Sequence, residues 1–183
     1  MREPHGDEKG RVLLEIARES VEHAVLGTPE TGYDESWLWE PGATFVTLRH
    51  RGELRGCLGT LRAREPLIWD LRHNARAVVS QDPRFAPLSA EELPEVGVEV
   101  SLLSPLEEVH VDSEDDAVRE LSRGRDGWFL VYRDLSGTFL PQVWESLPRA
   151  REFLRRLKDK AGLPAAFWDP EVRLWRYTVS KWD

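Results

Sequence analysis

Residues 43–61 read Ala43-Thr-Phe-Val-Thr-Leu-Arg-His50, then Arg51-Gly52, then Glu53-Leu-Arg-Gly-Cys-Leu-Gly-Thr-Leu61. Two strand-like runs divided by a two-residue turn with glycine in second place predict a β-hairpin. The second arm carries the one cysteine of the chain, Cys57, between Gly56 and Gly59 and two positions after Arg55. Glycine weakens a strand, so its presence marks a bulge or the close approach of another backbone or a ligand. The segment is therefore either a reactive or binding site or a tightly packed strand around a buried thiol.

Working outward, the same kind of pattern recurs. Val96 to Leu103 alternates as a strand up to Ser104-Pro105. Trp128 to Tyr132, a turn at Leu135-Ser-Gly137 and Thr138 to Val143 read as a second hairpin, with Pro141 at a strand end or edge because it has no N–H to give. Val172 to Val179 reads as one closing strand. Helical spacing appears in Leu13, Ile16, Ala17, Val21 and Val25, ending at Gly27, and again in Leu67, Ile68, Leu71, Ala75, Val78 and Val79 behind Pro66. Ser89-Ala-Glu-Glu92 has the spacing of a capping box, and Ser113 fits the cap of a short helix ending near Gly124. A helix from about Ser146 stops at Gly162, and Trp37 and Trp39 read as lids on the core. Hairpins interleaved with a few helices define an α+β fold, a mainly antiparallel sheet flanked by helices.

The chain has 183 residues, 40% hydrophobic and 32% charged, with eight tryptophans. That length fits one domain over residues 1–183, or two intimately packed lobes, and buries roughly 70% of the surface of the unfolded chain. A net charge of −8 argues against a dedicated nucleic-acid binder. The basic run Arg149-Ala-Arg-Glu-Phe-Leu-Arg-Arg-Leu-Lys-Asp-Lys160 reads as the solvated side of an amphipathic helix, with a phosphate or protein docking face as the alternative. No stretch reaches the ~20 apolar residues of a membrane span, and the polar start lacks the apolar region of a signal peptide. One cysteine makes no internal disulfide, which suits a reducing cytoplasm. A cytoplasmic protein off the membrane is expected.

Six blocks carry a resemblance. In order they are Phe45-Val-Thr-Leu48, Leu54-Arg-Gly-Cys-Leu-Gly-Thr60, Asp82-Pro-Arg-Phe-Ala-Pro-Leu-Ser89, Glu99-Val-Ser-Leu-Leu-Ser-Pro-Leu106, Gly137-Thr-Phe-Leu-Pro-Gln-Val143 and Phe153-Leu-Arg-Arg-Leu-Lys-Asp-Lys-Ala-Gly-Leu163. Together they resemble the AMMECR domain family, whose prokaryotic members are called AmmeMemoRadiSam system protein A. The match runs from about the first helix to the C-terminus. It implies an α+β fold in which a larger lobe, holding both termini, packs on a smaller one with a cleft between them. It also implies association with a Memo-like protein and a radical SAM enzyme as partners, and a functional role for the segment around Cys57 on that cleft. It names no reaction. Leu58 stands where isoleucine is common, a mild apolar swap, and Trp144-Glu-Ser-Leu147 replaces the more usual continuation.

Strand alternation places Arg55, Cys57 and Gly59 on one face, with Leu54, Gly56 and Leu58 on the other. If the leucines face the core, Arg55 and Cys57 share an open side, their Cβ atoms roughly 6–7 Å apart. A guanidinium at that range favours the thiolate, which makes Cys57 a candidate nucleophile and Arg55 its partner. Gly56 and Gly59 then admit a substrate backbone or phosphate. The alternative keeps Cys57 as a small buried hydrophobe and pairs Arg55 with a carboxylate. Glu99 and Ser101 alternate away from the core and are candidates for the same surface, Glu99 as a base or as a partner of arginine. Arg84 is a further binding candidate, with Asp82 and Arg84 more simply a clamp around Pro83.

His73 and Asn74 share a helix, and one histidine makes no metal site. No spacing supports a zinc site, a cluster-binding CxxxCxxC, a dinucleotide GxGxxG or a Walker loop. No metal or cofactor is expected. The readings that remain are an enzyme or enzyme component acting through Cys57, and a non-catalytic module binding a peptide or protein.

Overall fold

The computed structural model describes residues 6–183 and contains five α-helices and nine strands among them. In chain order these are α1 (Gly6–Leu26), β1 (Pro41–His50), β2 (Glu53–Gly59), β3 (Glu65–Pro66), α2 (Leu67–Ala77), β4 (Val96–Leu103), β5 (Glu107–Val109), α3 (Glu114–Leu121), β6 (Gly127–Tyr132), β7 (Leu135–Phe139), α4 (Val143–Ser146), α5 (Ala150–Lys160), β8 (Arg173–Tyr177) and β9 (Val179–Trp182). The fold is α+β, with two separate antiparallel sheets. Two compact units divide the chain: one runs up to Leu103 and takes back Ser180–Asp183, the other is Ser104–Val179.

In the first unit the strand order is β2-β1-β4-β9, with β3 on β1. The first hairpin turns through Arg51 at φ 52° and Gly52 at φ 83°, the pair of positive φ angles that matches the twist of antiparallel strands. Val46, Leu48, Val98 and Val100 project from one sheet face onto Leu13, Ile16 and Ala17 of α1 and Ile68, Leu71 and Ala75 of α2, all buried. Each valine, leucine or isoleucine among them contributes about 1.5–3 kcal/mol on leaving water. α1 stops at Gly27, whose φ of 72° few other residues tolerate and whose N–H bonds the His23 carbonyl at 2.8 Å. The Ser89–Glu92 capping box forms, with reciprocal bonds of 3.0 and 3.3 Å.

The second unit has the order β5-β8-β6-β7. Leu121, Trp128, Leu130, Phe153, Leu154, Leu157 and Leu174 form its core, and Trp144 stacks on Phe153 at 3.8 Å between ring centroids. Lys158 is wholly buried inside it, its Nζ donating to Glu114 Oε1 at 2.7 Å and the Phe167 carbonyl at 3.0 Å. Ser113 caps α3 by accepting the Asp116 N–H.

Four expectations are corrected. The second hairpin turns at Arg133, with φ 52°, two residues before the expected glycine turn, and Gly137 lies within β7. It packs where a Cβ would meet the Ala161 N and Leu157 O, so that glycine serves close packing. The last strand is two: β8 belongs to the second sheet and β9 to the first. The helix expected from Ser146 is α5, starting at Ala150 after the single turn of α4. Trp37 does pack on the core, but Trp39 is half exposed and lies edge-on to Trp69.

Candidate functional site

The register of the first hairpin determines where the thiol points. His50 pairs with Glu53 and Arg49 with Leu54, as the two-residue turn requires, but Leu48 then pairs with Gly56 and Thr47 with Cys57. Arg55 is the extra residue, a β-bulge. The bulge moves every later side chain of β2 to the opposite face from the one a regular ladder would assign. A regular ladder would place Cys57 across from the buried Val46; with the bulge it lies across from Thr47 and away from the core. Leu58 packs against the core as expected. Leu54, on the other side of the bulge, is exposed on the face of Cys57, contrary to the alternation read from sequence.

The same bulge separates Arg55 from the thiol. Its guanidinium makes a bidentate pair with Glu92, Nε to Oε1 at 2.8 Å and Nη2 to Oε2 at 3.1 Å, and donates to the carbonyls of Ala86 and Pro87. Arg55 ties the sheet edge to the 85–92 connector instead of sitting beside the sulfur. The Arg55 hydrogen bonds, with the Ser89 N–H, bring the Glu92 carboxyl down to about 2.

Cys57 is half-buried and free of disulfide. The Thr47 hydroxyl donates to its Sγ at 3.3 Å. Because β2 is an edge strand, the backbone of Cys57 turns outward, and Asp82 and Arg84 take it up. The Cys57 N–H donates to Asp82 Oδ2 at 2.9 Å, and Arg84 Nη2 donates to the Cys57 carbonyl at 3.4 Å. Asp82 is buried and grips Arg84 through Oδ1–Nε at 2.9 Å and Oδ2–Nη2 at 2.7 Å. Hydrogen bonds from the Arg84 side chain, helped by the N–H groups of Cys57 and Arg84, hold the Asp82 carboxyl far below the usual carboxylate range. The Asp82 hydrogen bond raises the Arg84 guanidinium in turn. Arg84 is over half exposed and is the cation on the Cys57 backbone.

Thr47 also pairs with Glu99 across β4, so Cys57, Thr47 and Glu99 form a row on one face. Adjacent strands lie about 4.8 Å apart, which sets Cys57 and Glu99 about 10 Å apart at their backbones. Burial pushes the Glu99 carboxyl up, but hydrogen bonds from Lys181 at 2.8 Å and Arg49 at 2.6 Å outweigh it and leave the group lowered. Glu99 is thus a charge held between two cations. Ser101, two residues along β4, shares this face and is partly exposed.

The two glycines face this chain's own groups. A Cβ on Gly59 would overlap the Phe45 ring and lie 2.5 Å from the Thr44 carbonyl oxygen, and one on Gly56 would lie 3.0 Å from a Val78 methyl. Phe45 and Val78 thus fill the room that the sequence reading left for a ligand. Thr60 closes the segment inside a buried polar network. Asp70 Oδ2 accepts the Thr44 N–H and hydroxyl at 2.7 Å each, and Asn74 Nδ2 donates to the Thr44 and Thr60 hydroxyls at 3.1 Å each. Burial raises the Asp70 carboxyl despite these donors. Thr47, Arg49, Glu92, Lys181 and this network were missed in sequence. Thr47 was the accessible one, since the hairpin register with one bulge assigns it. His73, on the exposed side of α2, bonds Glu65 at 2.7 Å.

Among the described residues no group of three or more His, Cys, Asp or Glu is placed to hold a metal ion, and no helix is long and apolar enough to cross a membrane.

Fold and site together define an α+β protein of two antiparallel sheets, whose first sheet bears a half-buried thiol on a clamped, bulged edge strand. The chain belongs to the AMMECR1 family, whose model matches residues 14–182. A protein of Methanothermobacter thermautotrophicus is 36% identical over 183 residues, covering 95% of this chain and 93% of that one. One of Thermotoga maritima is 34% identical over 171 residues, covering 92% and 93%. The crystal structure of an uncharacterized protein from Pyrococcus horikoshii, 32% identical, matches with a TM-score of 0.82 over 95% of this chain and 90% of that one.

Proposed function

We propose that the protein works through the sheet face bearing Cys57, as an enzyme or enzyme component of the AmmeMemoRadiSam system in which Cys57 is the nucleophile. The observation that carries this reading is the bulge at Arg55, which turns the thiol from the core side to the side of Thr47. There the sulfur accepts a hydroxyl proton, and the Arg84 guanidinium lies at the same residue. A donor to the sulfur and a cation beside it are the groups a cysteine nucleophile uses. The step is attack of the thiolate on an electrophilic acyl or alkyl carbon. A carbon–sulfur bond forms, the bond to the leaving group breaks with its electron pair, and the thiol proton has already gone to solvent. Arg84 is suited to hold an anionic part of the substrate, and Arg55 serves by fixing the bulge.

The test is alkylation of the native protein by iodoacetamide between pH 6 and 9, followed at Cys57 by mass spectrometry. A rate several-fold above that of a free cysteine at neutral pH is expected. Arg84→Ala lowers that rate, while Arg55→Lys leaves it within about twofold. A rate no faster than the free thiol across the range removes the nucleophile.

One observation favours a second reading, a non-catalytic module for the radical SAM enzyme and the Memo-like protein. Glu99, the base suggested by sequence, is committed to Lys181 and Arg49 and is lowered, so it is poorly suited to take a proton. In that reading Cys57→Ser leaves affinity for the two partners unchanged while Arg84→Ala weakens it. Unchanged capture by both variants dismisses the module.

A further inference from the structure

The sheet of the first unit ends in two edges that are treated differently. At β2 the outward N–H and C=O of Cys57 are occupied by Asp82 and Arg84, which blocks strand pairing at that residue. At the other edge, among the described residues, β9 pairs with β4 alone. Its Ser180 and Lys181 are exposed.

A groove of about 470 Å³ lies along this second edge, between β9 and α1. The volume falls within the range of roughly 300–1,000 Å³ typical of binding clefts. Leu14 and Trp182 supply its apolar part, and Arg11, Glu15 and Arg18 line it from successive turns of α1. The Trp182 ring occupies the place where a side chain at Gly10 would begin, which seats the end of the strand directly on the helix. Two of the groove's cations are already committed, Arg11 to Glu15 at 2.7 Å and Lys181 to Glu99 at 2.8 Å. Asp183 lines the groove as well, yet among the described residues no carboxylate lies within ion-pair distance of Arg18. In a chain of net charge −8, a guanidinium without a partner beside an unpaired strand edge points to an acidic visitor.

We propose that this groove receives an extended peptide segment of a partner protein, added to β9 as a further antiparallel or parallel strand. Backbone hydrogen bonds to β9 hold it, an apolar side chain lies over Leu14 and Trp182, and an acidic side chain meets Arg18. Side chains of an added strand alternate, which lets one segment satisfy the sheet edge and the groove together. This inference does not depend on Cys57, so loss of the nucleophile leaves it standing.

The probe is an acetylated, amidated octapeptide of alternating valine and threonine with one central glutamate. It is titrated into the full-length ¹⁵N-labelled chain while amide shifts and hydrogen exchange are followed. Shifts are expected in β9 and the groove side of α1, with exchange of the outward β9 amides slowed at least about tenfold at saturation. A probe N-methylated at alternate residues loses two backbone hydrogen bonds and, at about fivefold each, binds more than about tenfold more weakly. Arg18→Glu weakens the glutamate probe and favours one with lysine in its place. Equal binding of the N-methylated probe, shifts confined to other elements, or no shifts at millimolar probe would each overturn the proposal. So would a concentration-dependent dimer, seen by sedimentation, that protects the same amides, because the occupant would then be a second copy.

Discussion

Replacing Asp82 by alanine tests the argument about the clamped strand most directly. The substitution takes the acceptor from the Cys57 N–H, from the Arg84 N–H and from both Arg84 side-chain bonds. Hydrogen bonds to a charged group contribute about 1.5–3 kcal/mol each, but these share one carboxylate and Arg84 is open to water. The Cys57 N–H, left at the sheet edge, recovers part of its loss from solvent. The expected destabilisation is about 2–3 kcal/mol, or about 4–12 °C in Tm for a chain of this length. Asp82→Asn keeps one neutral acceptor and costs about half as much. Because the folded Asp82 carboxyl lies below its unfolded value near 3.9, its contribution is complete above about pH 4 and is lost as pH falls further. The gap between wild type and Asp82→Ala therefore closes on acidification. Urea melts followed by tryptophan fluorescence give the stability, and hydrogen exchange gives the Cys57 amide. An Asp82→Ala chain whose Cys57 amide exchanges as slowly as wild type would refute the clamp.

Three further outcomes follow from particular contacts. Gly59→Ala forces the Phe45 ring aside and costs about 1–3 kcal/mol, whereas Gly32→Ala, with open space around it, shifts Tm by little; thermal melts separate the two. Thr47→Val removes the donor to the sulfur and slows alkylation of Cys57 at pH 7.5 about two- to fivefold, with Tm nearly unchanged. Glu114→Ala leaves the buried Lys158 ammonium without its carboxylate and costs about 3 kcal/mol, and adding Lys158→Met recovers much of it; paired urea melts read the difference.

Much of the fold was legible because its signals are local. The first hairpin follows from two β-rich runs around Arg51-Gly52, the ends of α1 and α5 from Gly27 and Gly162, and the caps from Ser89 and Ser113, each a short-range rule about φ angles or hydrogen bonds. The second turn was misplaced because Gly137 carried the signal of a turn while serving close packing against α5, and Arg133 took the positive φ instead. The closing run 172–179 gives no local sign that it divides between two sheets, since strand propensity does not name a partner.

The sequence by itself determined the α+β class, the family, and the segment around Cys57 as the one to examine, all through patterns spanning a few residues. The tertiary structure alone decided what that segment does. A single bulge at Arg55 shifts the ladder by one residue, and in a strand of period two such a shift exchanges the faces. It sends the thiol to Thr47 and the guanidinium to Glu92, and no count along the chain separates them, because their true neighbours lie 10 and 37 positions away.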